Sequence, residues 1–353
     1  MTAGWKKAFR DNRWLLLATL VYSAAVLGEA AWCDMPLAEL WTLYRFLCHS
    51  IVMAAIFIGG LYAGTFAGLF ACAPKGRRLK AAVEAINTVT ADYAKSGRFA
   101  QACFGFAVIF AGNVFLVSKS LIYSVNPFYV MKWDETFAAW DKALHFGMYP
   151  HEFVIPFVNA LGMGVALDRL YMLWMMAMLV VFGYCLFADA NPVRRMRFLW
   201  CYFLSWALLG TGMATWLSSV GPMFYRDYLS GGDMYDAVLL NLSQMNAASG
   251  MYAEKARQVL LGWSKNDVMF DANAISAMPS MHVAICWLIV LYLRSFGRLA
   301  FALALLLCIG VLTGSVYLGF HYAVDGYVSI VAVSVIWFAL GFGLKEKTAE
   351  AAT

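Results

Sequence analysis

The sequence predicts an all-α fold: a polytopic membrane helix bundle of about eight transmembrane helices, with further helices at the interface. Three observations predict it. The 353-residue chain is 63% hydrophobic and only 13% charged, with a mean hydropathy of +0.68, whereas soluble domains are roughly 45–50% apolar and about 25% charged. Eight stretches approach the roughly 20 apolar residues that cross a hydrocarbon core. Lysines and arginines concentrate on alternate connections between those stretches, as expected when basic residues stay on the cytoplasmic side. This composition excludes a disordered chain, a soluble nucleic-acid binder and a disulfide scaffold. The net charge of +5 is no nucleic-acid footprint, because its basic residues lie in loops between apolar spans.

In chain order the stretches are about 14–32, 50–72, 101–121, 168–188, 197–219, 280–296, 299–319 and 323–343. The first reads as an anchor, since no small-residue cleavage site follows a short apolar run. Of the 26 basic residues, 17 fall on one side. They are Lys6, Lys7, Arg10, Arg13, Lys75, Arg77, Arg78, Lys80, Lys95, Arg98, Arg194, Arg195, Arg197, Arg294, Arg298, Lys345 and Lys347. Both termini are therefore expected in the cytoplasm, and the loops near 33–49, 122–167, 220–279 and 320–322 on the periplasmic or lumenal side. The cytoplasmic stretch 75–98 spaces its apolar residues as an amphipathic surface helix does. The outward stretch 126–152, rich in aromatics and charges and broken by Pro127 and Pro150, reads as helices in the interface plane. The loop 220–279 has the length of a functional loop or of one carrying its own helices. Cys33 and Cys48 bracket the first outward loop, and a disulfide between them is left open. The predicted organisation is two N-terminal transmembrane helices with an amphipathic linker (1–98), a six-helix core with its outward loops (99–345) and a cytoplasmic tail (346–353).

Two short patterns carry chemistry, and both fall on the outward face. Ala277-Met278-Pro279-Ser280-Met281-His282 directly precedes the sixth span, and Tyr317-Leu318-Gly319-Phe320-His321-Tyr322-Ala323-Val324-Asp325 joins the seventh to the eighth. His321 and Asp325 are four apart, so a helix starting near His321 puts both on one face. Asp325 then holds one ring nitrogen and leaves the other free as nucleophile or base. The helix start at Ser280 offers its hydroxyl and backbone N–H groups to an anion, with His282 beside it to protonate a leaving oxygen. Two histidines, an orienting carboxylate and an anion cradle suit phosphoryl transfer through a phosphohistidine. No metal or other cofactor is called for.

PSMH and YLGFHYAVD resemble the second and third motifs of the type 2 phosphatidic acid phosphatase superfamily, Ser-x-His and Ser-Arg-x5-His-x3-Asp. The resemblance covers the last six spans. It implies a six-helix membrane bundle with its site at the outer surface, His321 as nucleophile, Asp325 as its partner and His282 as general acid. Two departures stand out. The family's Ser-Arg falls on Gly314-Ser315, so the arginine is missing, and there is no Lys-x6-Arg-Pro, the phosphatases' first motif. A phosphate monoester carries about −1.5 to −2 charges and favours such a cationic clamp; a phosphodiester carries one. The loss points to a diester donor, a phospholipid whose head group is transferred. With WDETFAAWDKALHFG and SSVGPMFY, the chain resembles the inositol-phosphorylceramide synthase-like, inositol phosphotransferase-like branch. Membrane lipids are then both donor and acceptor. A lipid phosphatase using water is the alternative, and a non-catalytic, transporter-like membrane protein a further one.

The remaining candidates each have a plainer reading. Ser280, Ser315, Lys119, Arg226 and Tyr317 are the candidate phosphate-binding residues. Lys119 supplies the missing charge or snorkels to the interface; Arg226 is a donor or a solvated loop charge. Lys142 and His145 read as interfacial helix surface. Glu29 and Asp168 lie near span ends, where solvation or helix pairing accounts for them.

Overall fold

The computed structural model describes residues 3–32, 40–106, 131–229, 233–265 and 275–350. Among them every regular element is helical. Helices α1 (Ala3–Trp32), α2 (Leu40–Cys72), α3 (Arg78–Lys95) and α4 (Arg98–Gly105) come first. Two short helices follow, α5 (Asp134–Leu144) and α6 (Pro150–Ala160), then the long α7 (Gly164–Phe187) and α8 (Pro192–Trp216). The next loop carries α9 (Asp236–Ser249) and α10 (Tyr252–Lys265). Helices α11 (Met281–Leu293), α12 (Arg298–Tyr317) and α13 (Ala323–Glu350) complete the described chain.

Four of these helices are long and apolar enough to cross a membrane: α7, α8, α12 and residues Ala323–Gly343 of α13. Ile58–Cys72 and Met281–Phe296 are shorter apolar helices. The chain is a multi-pass membrane protein. The expected span 14–32 lies within α1. Most of 101–121, including Lys119, lies outside the described residues, as do Cys33 and the side chains of Glu29 and Cys48. The stretch 75–98 forms the expected amphipathic helix, burying Ala82 and Ile86.

α11 is the hub, packed against α7, α8, α12 and α13. Val283, Ala284, Ile285, Cys286, Leu288, Ile289, Val290 and Tyr292 are all buried, so it is apolar all round, as a fully enclosed helix must be. A tighter turn at Arg294–Phe296 extends it to the end of the expected 280–296, and Gly297 at φ +114° ends it. On α12, Gly310 and Gly314 face Leu170 and Tyr171 of α7. Small residues four apart let membrane helices approach closely.

A second, smaller core caps this bundle. Phe137, Ala138, Tyr225, Tyr235, Val238, Ala277, Met278, Tyr322 and Val324 form it, under α5 and the 220–235 loop. Each of its buried Phe, Met and Val side chains stabilises by about 1.5–3 kcal/mol. The site lies where the two cores meet.

Candidate active site

Ser280 is the N-cap of α11, accepting from Val283 N at 3.4 Å. Serine is favoured there because its oxygen satisfies an otherwise unpaired backbone N–H. His282 follows in the first turn. Its ring stacks on Tyr171 at 4.8 Å between centroids and meets Trp174 edge-on at 4.7 Å, both from α7.

The turn between α12 and α13 brings His321 to it. Gly319 takes φ +81° there, a conformation that costs other residues about 1–2 kcal/mol. Helix α13 begins at Ala323 rather than at His321, so the histidine precedes the helix and Asp325 sits in its first turn. The two still meet: His321 Nδ1 is 3.3 Å from Asp325 Oδ2. The nearer partner of Nδ1 is the Ala277 carbonyl oxygen at 2.7 Å. A carbonyl only accepts, so Nδ1 carries the hydrogen and Nε2 of the neutral ring keeps its lone pair. That Nε2 lies 3.3 Å from His282 Nδ1. His321 is 5% exposed and Asp325 is fully buried. Tyr322 N donates to Asp325 Oδ2 at 3.0 Å, while Oδ1 has no partner. The Ser329 hydroxyl bonds both the Ser280 and Asp325 carbonyls, joining the starts of α11 and α13.

Helix α5 holds these pieces in register. Asp134, Phe137, Ala138 and Asp141 form its buried face. The Asp134 carboxylate accepts from Val220 N, Gly221 N and the Tyr322 hydroxyl at 2.8–3.0 Å. Asp141 accepts from Ala323 N and Val324 N at 2.9 and 2.8 Å, capping α13 from another helix. A carboxylate at a helix N-terminus also meets the positive end of its dipole. Burial pushes both carboxyls above their ordinary value, with the backbone N–H bonds acting against it. Sequence reasoning passed over both aspartates, yet a signal was present: acids at i and i+7 on an otherwise apolar face. His145, read as helix surface, bridges Asp141 O at 2.6 Å and the Tyr327 hydroxyl at 2.9 Å. Lys142 stands over the Tyr149 ring.

The structure thus brings together His282, His321, Asp325 and Ser280, and places the other candidates differently. Ser315 is fully buried and turns its hydroxyl back to Leu312 O at 2.7 Å, while its carbonyl accepts from His321 N. At Gly314 a side chain would meet Tyr171 and Leu167. The Tyr317 hydroxyl is committed to Asn159 at 2.7 Å. Arg226 pairs with Asp236 at 2.9 Å on the exposed surface. Arg257 pairs with Asp227, and Arg169 with Asp168. Asp168 is fully buried and accepts from Tyr252 N and Ala253 N at the start of α10, so helix pairing is its role.

Comparison with curated proteins gives no significant match, and comparison with solved structures gives none. A family model does match: that of the PAP2 superfamily, over residues 135–339. The match spans more than half the chain and takes in α5 through most of α13, with His282, His321 and Asp325 inside it. The chain therefore belongs to the PAP2 superfamily, as a membrane enzyme acting on phosphate esters.

Proposed function

We propose that the protein is a phosphotransferase that moves a phosphorylated head group from a glycerophospholipid to a lipid hydroxyl, ceramide-like or related, through a phosphohistidine on His321. One observation carries this reading. His321 is held at Nδ1 by a carbonyl and a carboxylate, and its bare Nε2 faces the second imidazole at 3.3 Å.

In the first step the Nε2 lone pair attacks the donor phosphorus. A P–N bond forms, the bond from phosphorus to the diacylglycerol oxygen breaks, and His282 gives that oxygen a proton. Asp325 balances the positive charge that the ring acquires. In the second step the acceptor hydroxyl attacks phosphorus and its proton passes to His282. The P–N bond then breaks, with its electrons returning to Nε2. Ser280 and the first N–H groups of α11 sit where an anion is favoured. Among the described residues, the outward arginines Arg169, Arg226 and Arg257 each pair with a carboxylate. That supports a singly charged diester over a monoester needing a cationic clamp. In this reading the site opens on the periplasmic or lumenal side, with both termini in the cytoplasm. The inositol phosphotransferase-like branch is the proposed subfamily.

The test is to incubate purified protein with a labelled phosphoinositide or phosphocholine lipid, with and without ceramide. Transfer that depends on the acceptor is the expected result. Free phosphate released from phosphatidate, indifferent to acceptor, would establish the phosphatase instead. No turnover of any donor would remove the enzymatic reading. His321→Ala and His282→Ala are expected to abolish the reaction, and chelators to leave it intact.

A further inference from the structure

A cavity of about 10 Å³ opens against His321, lined by Asp141, Pro150, His151, Pro222, Tyr235, Val316 and His321. That is room for about one water-sized oxygen. Its four polar liners are nearly sealed from solvent: Asp141 and Tyr235 are 3% exposed, His151 4% and His321 5%. The Tyr235 hydroxyl has no hydrogen-bond partner, although buried phenols ordinarily find one. The ring is fixed by its neighbours, lying against His151 at 5.1 Å, Tyr149 at 5.8 Å and Tyr322 at 5.9 Å. Each Asp141 oxygen takes one backbone N–H, which leaves a lone pair on each.

The chemistry of this lining selects its occupant. A phosphate oxygen is repelled by the Asp141 carboxylate. An apolar group would leave the Tyr235 hydroxyl stranded, at a cost of about 1–3 kcal/mol. An oxygen that donates to a carboxylate and accepts from a phenol satisfies both. We infer that this cavity is a subsite for one neutral hydroxyl, held by Asp141 and Tyr235 beside the phosphorus bound to His321. The hydroxyl comes from water or from an alcohol on the head group or acceptor. Its position relative to the reaction rests on the phosphohistidine reading; its occupancy does not.

Tyr235→Phe tests this directly. It removes only the hydroxyl and keeps the ring contacts, so folding stability is expected to be unchanged or slightly raised. In a high-resolution experimental structure, an ordered oxygen within hydrogen-bonding distance of Tyr235 Oη is expected in the wild type and absent from Tyr235→Phe. An empty cavity in the wild type overturns the subsite, and this readout stands even if no donor turns over. Kinetically, the variant is compared on three reactions: hydrolysis without acceptor, transfer to ceramide, and reaction with a hydroxyl-rich against a hydroxyl-free head group. A selective loss of about tenfold in the first, the second or the head-group preference assigns the hydroxyl to water, acceptor or donor. Equal effects on all three, or none, overturn the proposal.

Discussion

The two ends of α11 solve different problems. At its start, around Ser280 and His282, the polar groups are histidines and buried aspartates, and the aspartates cap backbone N–H groups. About a dozen residues on, roughly 18 Å at 1.5 Å per residue, the Tyr292 hydroxyl donates to Asp189 at 2.7 Å. Arg194 pairs with that same Asp189 at 2.6 Å and reaches Ser295. Arg195 bonds Gln101, which also bonds Asn12 and Asp11. This end gathers residues that the charge pattern assigned to one side. One end locks the bundle with arginine pairs. The other fixes His321 through the Ala277 carbonyl and Asp325 and packs His282 against Tyr171 and Trp174. Charged hydrogen bonds serve both ends, but only the first leaves a reactive lone pair.

The sharpest break in this contrast is His321→Ala. It should lower turnover by at least about 10⁴-fold, as loss of a nucleophile does, with little change in melting temperature. Turnover surviving within tenfold would remove His321 from the chemistry. Next comes Asp325→Asn. In a serine-protease triad the equivalent change costs about 10⁴, by allowing the wrong tautomer. Here the Ala277 carbonyl also holds Nδ1–H, so a loss of about 10² is expected, read from the rate of transfer. Gly319→Ala should destabilise by about 2 kcal/mol. Its φ is +81° and its Cβ would come within 2.6 Å of Val238 Cγ1. Chemical denaturation measures it, and transfer should fall with it because the same turn carries His321. At the far end, Arg194→Ala should cost about 1–3 kcal/mol of stability and leave the turnover of folded protein unchanged.

The smallest effect is in pH, and its sign differs between the ends. Burial raises Asp134 and Asp141 above 3.8 in the folded chain. The folded state then holds protons that the unfolded state has lost, and stability falls as pH rises from about 4 through the raised values. At Asp189 burial also pushes upward, but the Arg194, Asn191 and Tyr292 hydrogen bonds outweigh it and lower the value. Its stability is present above 3.8 and is lost as pH falls through the lowered value. Asp141→Asn should flatten the first slope of melting temperature against pH, and Asp189→Asn the second. Unaltered slopes in both would contradict this assignment.

What was legible in the sequence was local. Ser280 capping α11, His282 one residue inside it and the approach of His321 to Asp325 all follow from short spacings. The start of α13 at Ala323 agrees with the expected span 323–343, while His321 just before it is held by the turn and by Ala277. That carbonyl could not be read, because a backbone acceptor leaves no mark in residue type. The caps from Asp134 and Asp141 join positions 86 and 182 residues apart, and no local pattern names the partner. Their acidity on an apolar face announced only that partners exist. Arg226 looked available as a lone basic residue in a loop, until the fold supplied Asp236.

The packing of His282 on Tyr171 and Trp174 has one more consequence. Those rings lie seven and ten residues into α7 from Gly164, about 10 and 15 Å along its axis. The imidazole is therefore recessed by about two helical turns from where that helix begins. Under the proposed transfer, an acceptor has to bring its hydroxyl to that level of α7, so acceptors are expected to differ in rate with how far the hydroxyl extends from the chain that anchors it.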